Sequence, residues 1–302
     1  MFFKMVNIQT VLLCYILCGF LCRKKRIITV ENQQAFVNLL LWIFMPCMVF
    51  DSFKNVTVTM LKNSFIMLLV AFVICIVSSV IGKVIYRKFP EDRKNILRYA
   101  TVINNAGFAG LPLTKEVFGA EGVLYASVFL IPIRIFMWSA GITMLSKQKT
   151  NVKNIVICLL KNPCIIAVFL GLFRGVMKIT LPVFLENTIS ALSACVSPFS
   201  MMIIGAMIAD VNWKGLFDKG VFLYTGMRLL VLPVIALALC RAIGLDEMIA
   251  GTAMILTSMP AATTTALLAA KYEADVTYAS KLVFTTTVLS LFTAPVLILF
   301  LK

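Results

Sequence analysis

The chain has no histidine. That excludes His-based triads, His metal sites and histidine proton relays. Charge is also scarce. Only 14% of the 302 residues are Asp, Glu, Lys or Arg, against about a quarter in soluble proteins. The carboxylates sit at the ends of apolar runs, as Asp51, Glu116, Asp210, Asp246 and Glu273 do. No acid dyad, nucleophile-base pair or metal cluster can be assembled inside a run, so no enzyme and no cofactor is expected. The nine cysteines, among them Cys14, Cys18, Cys75, Cys158 and Cys240, show no CxxC spacing. They read as small buried hydrophobes. The first apolar run ends at Arg23-Lys24-Lys25-Arg26 rather than at a small-residue cleavage site, and it reads as a membrane helix.

What is abundant is apolar. Hydrophobic residues make up 61% of the chain, and mean hydropathy is +0.99. Ten runs are long enough to enter a bilayer: 6–22, 33–53, 63–86, 95–118, 122–146, 155–174, 183–209, 217–242, 248–271 and 276–301. The expected fold is an all-α polytopic membrane protein with ten transmembrane helices. A net charge of +15 would suggest nucleic acid for a soluble protein. Here the basic residues flank spans, so the partner is the lipid bilayer and no nucleic acid is expected. One set of connections carries Arg23–Arg26, Lys83 through Arg98, Lys147 through Lys161, Lys214, Lys219, Lys271 and Lys281. That is eighteen Lys and Arg against eight on the other side. The rich side should be cytoplasmic, with both termini outside a cell membrane.

The two halves echo one another. Tyr125-Ala126-Ser127 returns as Tyr278-Ala279-Ser280, and Pro46 returns as Pro198, each about 152 residues on. Residues 1–146 and 155–302 then form two repeats of five spans. An odd number of spans inverts the second copy, giving a 5+5 inverted repeat.

Two spans look broken at matching places. Span four carries Asn104-Asn105-Ala106-Gly107-Phe108-Ala109-Gly110-Leu111-Pro112 at its centre. Span nine carries Thr257-Ser258-Met259-Pro260, then Ala261-Ala262-Thr263-Thr264-Thr265. Proline removes a backbone donor and glycine loosens the helix. Hydrocarbon tolerates a break only where protein or a wet cavity satisfies the backbone. Crossed half-helices would turn N-terminal ends toward a shared cavity and favour an anion. The candidate substrate site is therefore Asn104, Asn105, Gly107, Gly110, Pro112, Ser258, Pro260, Thr263 and Thr264. Arg134 and Arg228 join it, because each falls near the centre of a span, and buried cations suit an anionic substrate. The alternative for the breaks is that Gly and Pro only kink two packed helices. For either arginine, the alternative is that it bonds carbonyls freed by a break.

The run Asn105-Ala106-Gly107-Phe108-Ala109-Gly110-Leu111-Pro112-Leu113 resembles the N-x-G-F-x-G-x-P-L signature of the auxin efflux carrier family, which includes bacterial malate-permease-like members. Pro46, Asn162-Pro163, Pro198 and the stretch from Pro260 through Ala279-Ser280 fit the same resemblance. It implies a fold similar to bile-acid sodium symporters, with broken crossing helices four and nine. It also implies a scaffold of spans 6–22, 33–53, 155–174 and 183–209. The other six spans would form a transport domain that carries a small organic anion by elevator-type movement. In that pattern Asn105 and Pro112 belong to one crossing and Pro260 to the other. The chain departs from it at Arg134, where a neutral polar residue is expected. The short connection from Lys147 to Asn154 lacks the long loop of the plant carriers and points to a compact bacterial form.

Three functions fit these residues: a secondary carrier of a small carboxylate, a cation-coupled bile-acid-like symporter, and a receptor that binds a small anion without transport. A homodimer is the candidate assembly.

Overall fold

The computed structural model describes residues 2–146, 152–210 and 218–301. Among the described residues the chain is all helical, with one isolated β-bridge, Asn104 to Ala261. The helices in order are α1 Phe2–Lys24, α2 Val30–Ser52, α3 Val58–Ile85, α4 Glu91–Val102, α5 over 106–118 and α6 over 120–145. They continue with α7 Val152–Leu160, α8 Pro163–Val176, α9 Val183–Ala209, α10 Lys219–Ala242, α11 Glu247–Thr257, α12 Thr264–Lys271 and α13 Val276–Ile298.

Among the described residues six stretches are long and apolar enough to cross a membrane: Val30–Ser52, Val58–Lys88, Ala106–Leu145, Val183–Ala209, Lys219–Ala242 and Val276–Ile298. Of the ten expected spans, the first, within α1, is not among these six; the other differences have local reasons. Expected spans four and nine are each divided into two short helices. Expected span six, 155–174, is interrupted at Lys161–Asn162, where Asn162 caps a new helix by accepting from Cys164 N at 3.0 Å. Ala106–Leu145 is 40 residues long because α5 runs into α6 without a gap. The chain nonetheless reverses there. Gly119 has φ +66°, and a Cβ on Gly122 would stand 3.0 Å from Thr114 Cγ2. Residues eight apart on a straight helix lie about 12 Å apart. So α5 and α6 form a hairpin, and the left-handed turn needs glycine.

Capping residues begin the helices and left-handed residues end them. Thr29 and Asn32 form a reciprocal cap before α2. Asp218, Asp246 and Asp275 accept from the first-turn amides of α10, α11 and α13. Arg26, Lys178 and Glu273 take positive φ at helix ends. Two corners are alike. Arg23, at the end of α1, donates to Ile28 O at 3.2 Å and pairs with Asp210. Arg174, at the end of α8, donates to Ile179 O at 3.4 Å and pairs with Glu186.

Proline accounts for three of the wide turns, while a fourth, Met137–Gly141, has no proline close after it. Leu40–Phe44, Ala106–Gly110 and Met227–Val231 are π-helical, and each ends two residues before a proline: Pro46, Pro112 and Pro233. A proline ring clashes with the carbonyl four residues back and offers no N–H, so the preceding turn widens. α1 packs closely on α9. A Cβ at Gly19 would overlap the Met202 carbonyl, and one at Gly205 would overlap the Ile16 carbonyl. Small residues of this kind let membrane helices pack backbone on backbone.

Candidate functional site

Two short helices end at Val102 and Thr257, and two begin at Ala106 and Thr264. Between them the chain is extended: Ile103 has φ −95° and ψ 117°. Asn104 forms an antiparallel bridge with Ala261, and Asn105 N donates to Pro260 O at 2.8 Å. The two breaks thus hold one another.

Buried helix ends must find partners for their carbonyls and amides. Tyr224 Oη donates to Ala100 O at 2.9 Å. Asn104 Nδ2 donates to Leu256 O. Ala261 N donates to Thr286 Oγ1 at 3.1 Å. Arg228 spans both breaks, with Nη1 donating to Thr101 O at 2.7 Å and Nε donating to Met259 O at 3.0 Å. Its side chain rises from the wide turn Met227–Val231 of α10, and the residue is 2% exposed.

On one side of the crossing lies a cavity of about 330 Å³. Asn104, Asn105, Gly107, Arg134, Thr263 and Thr264 line it. The first turns of α5 and α12 therefore face it, through Gly107, Phe108 and Thr264. Its outer wall includes Gln33, Met137, Met207 and Leu267. Gln33 stands one turn into α2, just after Arg23–Arg26, and Leu267 stands one turn before Lys271. The cavity is on the Lys- and Arg-rich side of the crossing.

The structure brings together six of the eleven sequence candidates on this wall. Gly110, Pro112, Arg228, Ser258 and Pro260 are not among its lining residues. Pro112 shapes the wide turn before it, and a Cβ on Gly110 would press on Leu256 and Met259. Pro260 lines a second, smaller space of about 50 Å³ with Leu12, Ile16, Leu113 and Met201. Ser258 Oγ donates back to Ile255 O at 2.8 Å. Sequence reasoning missed Gln33, Gln34, Phe108 and Met207 on the wall. The only signal was an amide pair, Gln33-Gln34, inside an apolar run. The connection over 147–151 and Lys214 lie outside the described residues.

Arg134 and the start of α5 meet in the cavity. A Cβ on Gly107 would stand 3.5 Å from Arg134 Nη2. No hydrogen bond or ion pair to the Arg134 guanidinium is present among the described residues. A full positive charge so close to a helix N-terminus is repelled by about 2 kcal/mol at an effective dielectric constant near 20. An anion between them reverses that sign. Among the described residues, no group of three or more Cys, Asp or Glu is placed to hold a metal ion.

On the far side, Lys115 Nζ of α5 donates to Ser193 O at 3.1 Å and to Ser193 Oγ at 3.0 Å. Ser197 Oγ of α9 donates to Glu116 Oε1 at 3.1 Å. These bonds tie α5 to α9 opposite the cavity.

Known proteins give the chain a family. The family described as membrane transport protein matches residues 5–156 and again 151–298. An uncharacterized transporter of Methanocaldococcus jannaschii is 26% identical, covering 95% of both chains. An uncharacterized transporter of Methanothermobacter thermautotrophicus is 24% identical, covering 96% of this chain and 97% of its own. With the apolar helices, these matches identify a multi-pass membrane protein. The two family matches lie end to end along almost the whole sequence, and the chain belongs to the membrane transport protein family, the family of the auxin efflux carriers.

Proposed function

We propose that the protein is a secondary carrier of a small organic anion, with a carboxylate bound at the crossing. The observation that carries this reading is Arg134, whose guanidinium has no hydrogen-bond or ion-pair partner among the described residues and shares the cavity with the N-terminal turn of α5. Asn104, Asn105, Thr263 and Thr264 supply neutral donors and acceptors around it. The backbone beside Gly107 is open to a close approach because no side chain covers it. A carboxylate would take bidentate bonds from Arg134 and amide bonds from the helix start. About 330 Å³ suits a small solute rather than a large one.

The chain crosses the membrane ten times in this reading. Residues 1–146 and 155–302 are inverted copies, which the like corners at Arg23 and Arg174 support. α4 with α5, α7 with α8, and α11 with α12 count as one interrupted crossing each. Spans 6–22, 33–53, 155–174 and 183–209 form the scaffold, and the other six move as an elevator. The basic side is cytoplasmic, both termini are outside, and the cavity faces inward.

Uptake into proteoliposomes tests the proposal. Mono- and dicarboxylates are offered under imposed gradients to wild type and to Arg134→Ala. Uptake by wild type and none by the variant is the expected result. Specific binding without flux under any gradient would replace the carrier by a receptor.

A further inference from the structure

The carbonyl ends of the two breaks present the opposite problem to the cavity. α4 and α11 each finish near the centre of the protein, at Val102 and Thr257. A helix C-terminus carries roughly half a negative charge and leaves carbonyls without intrahelical partners. Two such ends side by side in a low-dielectric interior form a site for one cation. Carbonyl oxygens of broken helices are what a dissolved Na⁺ would use.

Arg228 fills that place. It comes from a third helix, α10, and bonds one carbonyl of each break, Thr101 O and Met259 O. Among the described residues no carboxylate is ion-paired with it. Its single positive charge is balanced by two half-charges, so the charges close without an acid. The neighbouring carbonyls are taken as well. Ala100 O accepts from Tyr224 and Leu256 O accepts from Asn104. Thr101 is three residues before Asn104, and Met259 is two before Ala261. A clamp on these carbonyls therefore sets where the bridged segment, and with it one wall of the cavity, stands.

We infer that Arg228 is a built-in counter-cation. It joins the two breaks and occupies the position a coupling metal ion would need, so the crossing assembles without Na⁺ or K⁺. Arg228 is a positioning residue and does not touch the substrate. The consequence that transport ignores Na⁺ rests on the carrier reading; the structural role does not.

The test uses the purified full chain in detergent. Arg228→Ala is expected to lower the unfolding midpoint by roughly 5–10 °C, because two buried carbonyls and two helix ends lose their cation. Millimolar guanidinium, far below its denaturing range, should raise the midpoint of the variant and leave wild type unmoved. Arg228→Lys should keep most of the wild-type midpoint, since an ammonium can still answer the carbonyls. An unchanged midpoint in Arg228→Ala, or a lowered one that neither guanidinium nor lysine restores, overturns the inference. If Arg228→Ala does not fold, wild type decides. Its midpoint should not change when Na⁺ or K⁺ replaces choline at constant ionic strength, and a saturable shift specific to either metal ion overturns the inference. None of these readouts involves a carboxylate, so a failed uptake experiment leaves them standing.

Discussion

Two arginines lie in adjoining parts of the molecule, Arg228 buried and Arg134 part-exposed on the cavity wall, and their surroundings are opposite. Arg228 bonds a carbonyl in the last turn of α4, Thr101 O, and one just past the end of α11, Met259 O. Arg134 meets a helix N-terminus and bonds no described residue. The same side chain is therefore bonded by the protein in one place and, among the described residues, left without a protein partner in the other. The difference is the direction of the nearest helix. Among the described residues no carboxylate is buried, so backbone ends set the local charge in the interior. Carbonyl ends retain a cation as structure. An amide end beside a cation calls for an anion from outside.

The largest expected effect separates the two. Arg134→Ala should weaken carboxylate binding by roughly 10- to 100-fold, the worth of a hydrogen bond to a charged group. It should not lower the unfolding midpoint, because it removes an uncompensated charge. Calorimetric binding and thermal unfolding on one preparation check both halves. A variant that binds normally, or that unfolds as readily as Arg228→Ala, would erase the contrast.

Next come changes confined to the break. Gly110→Val places a Cβ at 2.8 Å from Leu256 Cδ2 and 3.1 Å from Met259 Cγ. Overpacking there should cost about 1–3 kcal/mol, read as a lower midpoint. An unchanged midpoint would mean that α5 and α11 do not pack as tightly as described. Tyr224→Phe leaves the Ala100 carbonyl without its donor. It should cost about 1 kcal/mol and leave binding unchanged. A loss of affinity larger than the loss of stability would place Tyr224 with Arg134 rather than with Arg228.

Much of this contrast was legible in the sequence, and the part that was not is backbone. The interruptions could be read from Gly107, Gly110, Pro112 and Pro260, since few residues so unfavourable to a helix fall at a span centre by composition alone. Both arginines could be read as interior from their distance to the span ends. Their separation into two roles could not. It depends on Thr101 O, Met259 O and the amides near Gly107, and a carbonyl or an amide leaves no letter in the sequence. The alternative that an arginine bonds carbonyls freed by a break applies to one of the two, and nothing local distinguishes which. The hairpin at Gly119 was legible as well: Lys115, Glu116 and Glu121 flank it, and the expected spans 95–118 and 122–146 part where the backbone turns.

The smallest expected effect lies at the far end of α5. Lys115 and Glu116 bond Ser193 and Ser197 across the protein from the cavity. If the carrier alternates, these contacts exist only while that side is closed. Lys115→Ala removes two hydrogen bonds from a side chain that is neither fully buried nor exposed. The stability loss should stay under about 1 kcal/mol. Even so small a term changes a two-state population by about fivefold. Peptide-resolved hydrogen exchange can read it. Exchange should quicken over 111–118 and 193–197 and stay constant over 99–105, where Arg228 and Tyr224 hold the break. Uniform exchange along α5 in the variant would show that the far-side bonds decorate the closed state without holding it. Quickening at both ends would tie the contacts to the crossing itself, and the two ends of α5 could no longer be treated as separate devices.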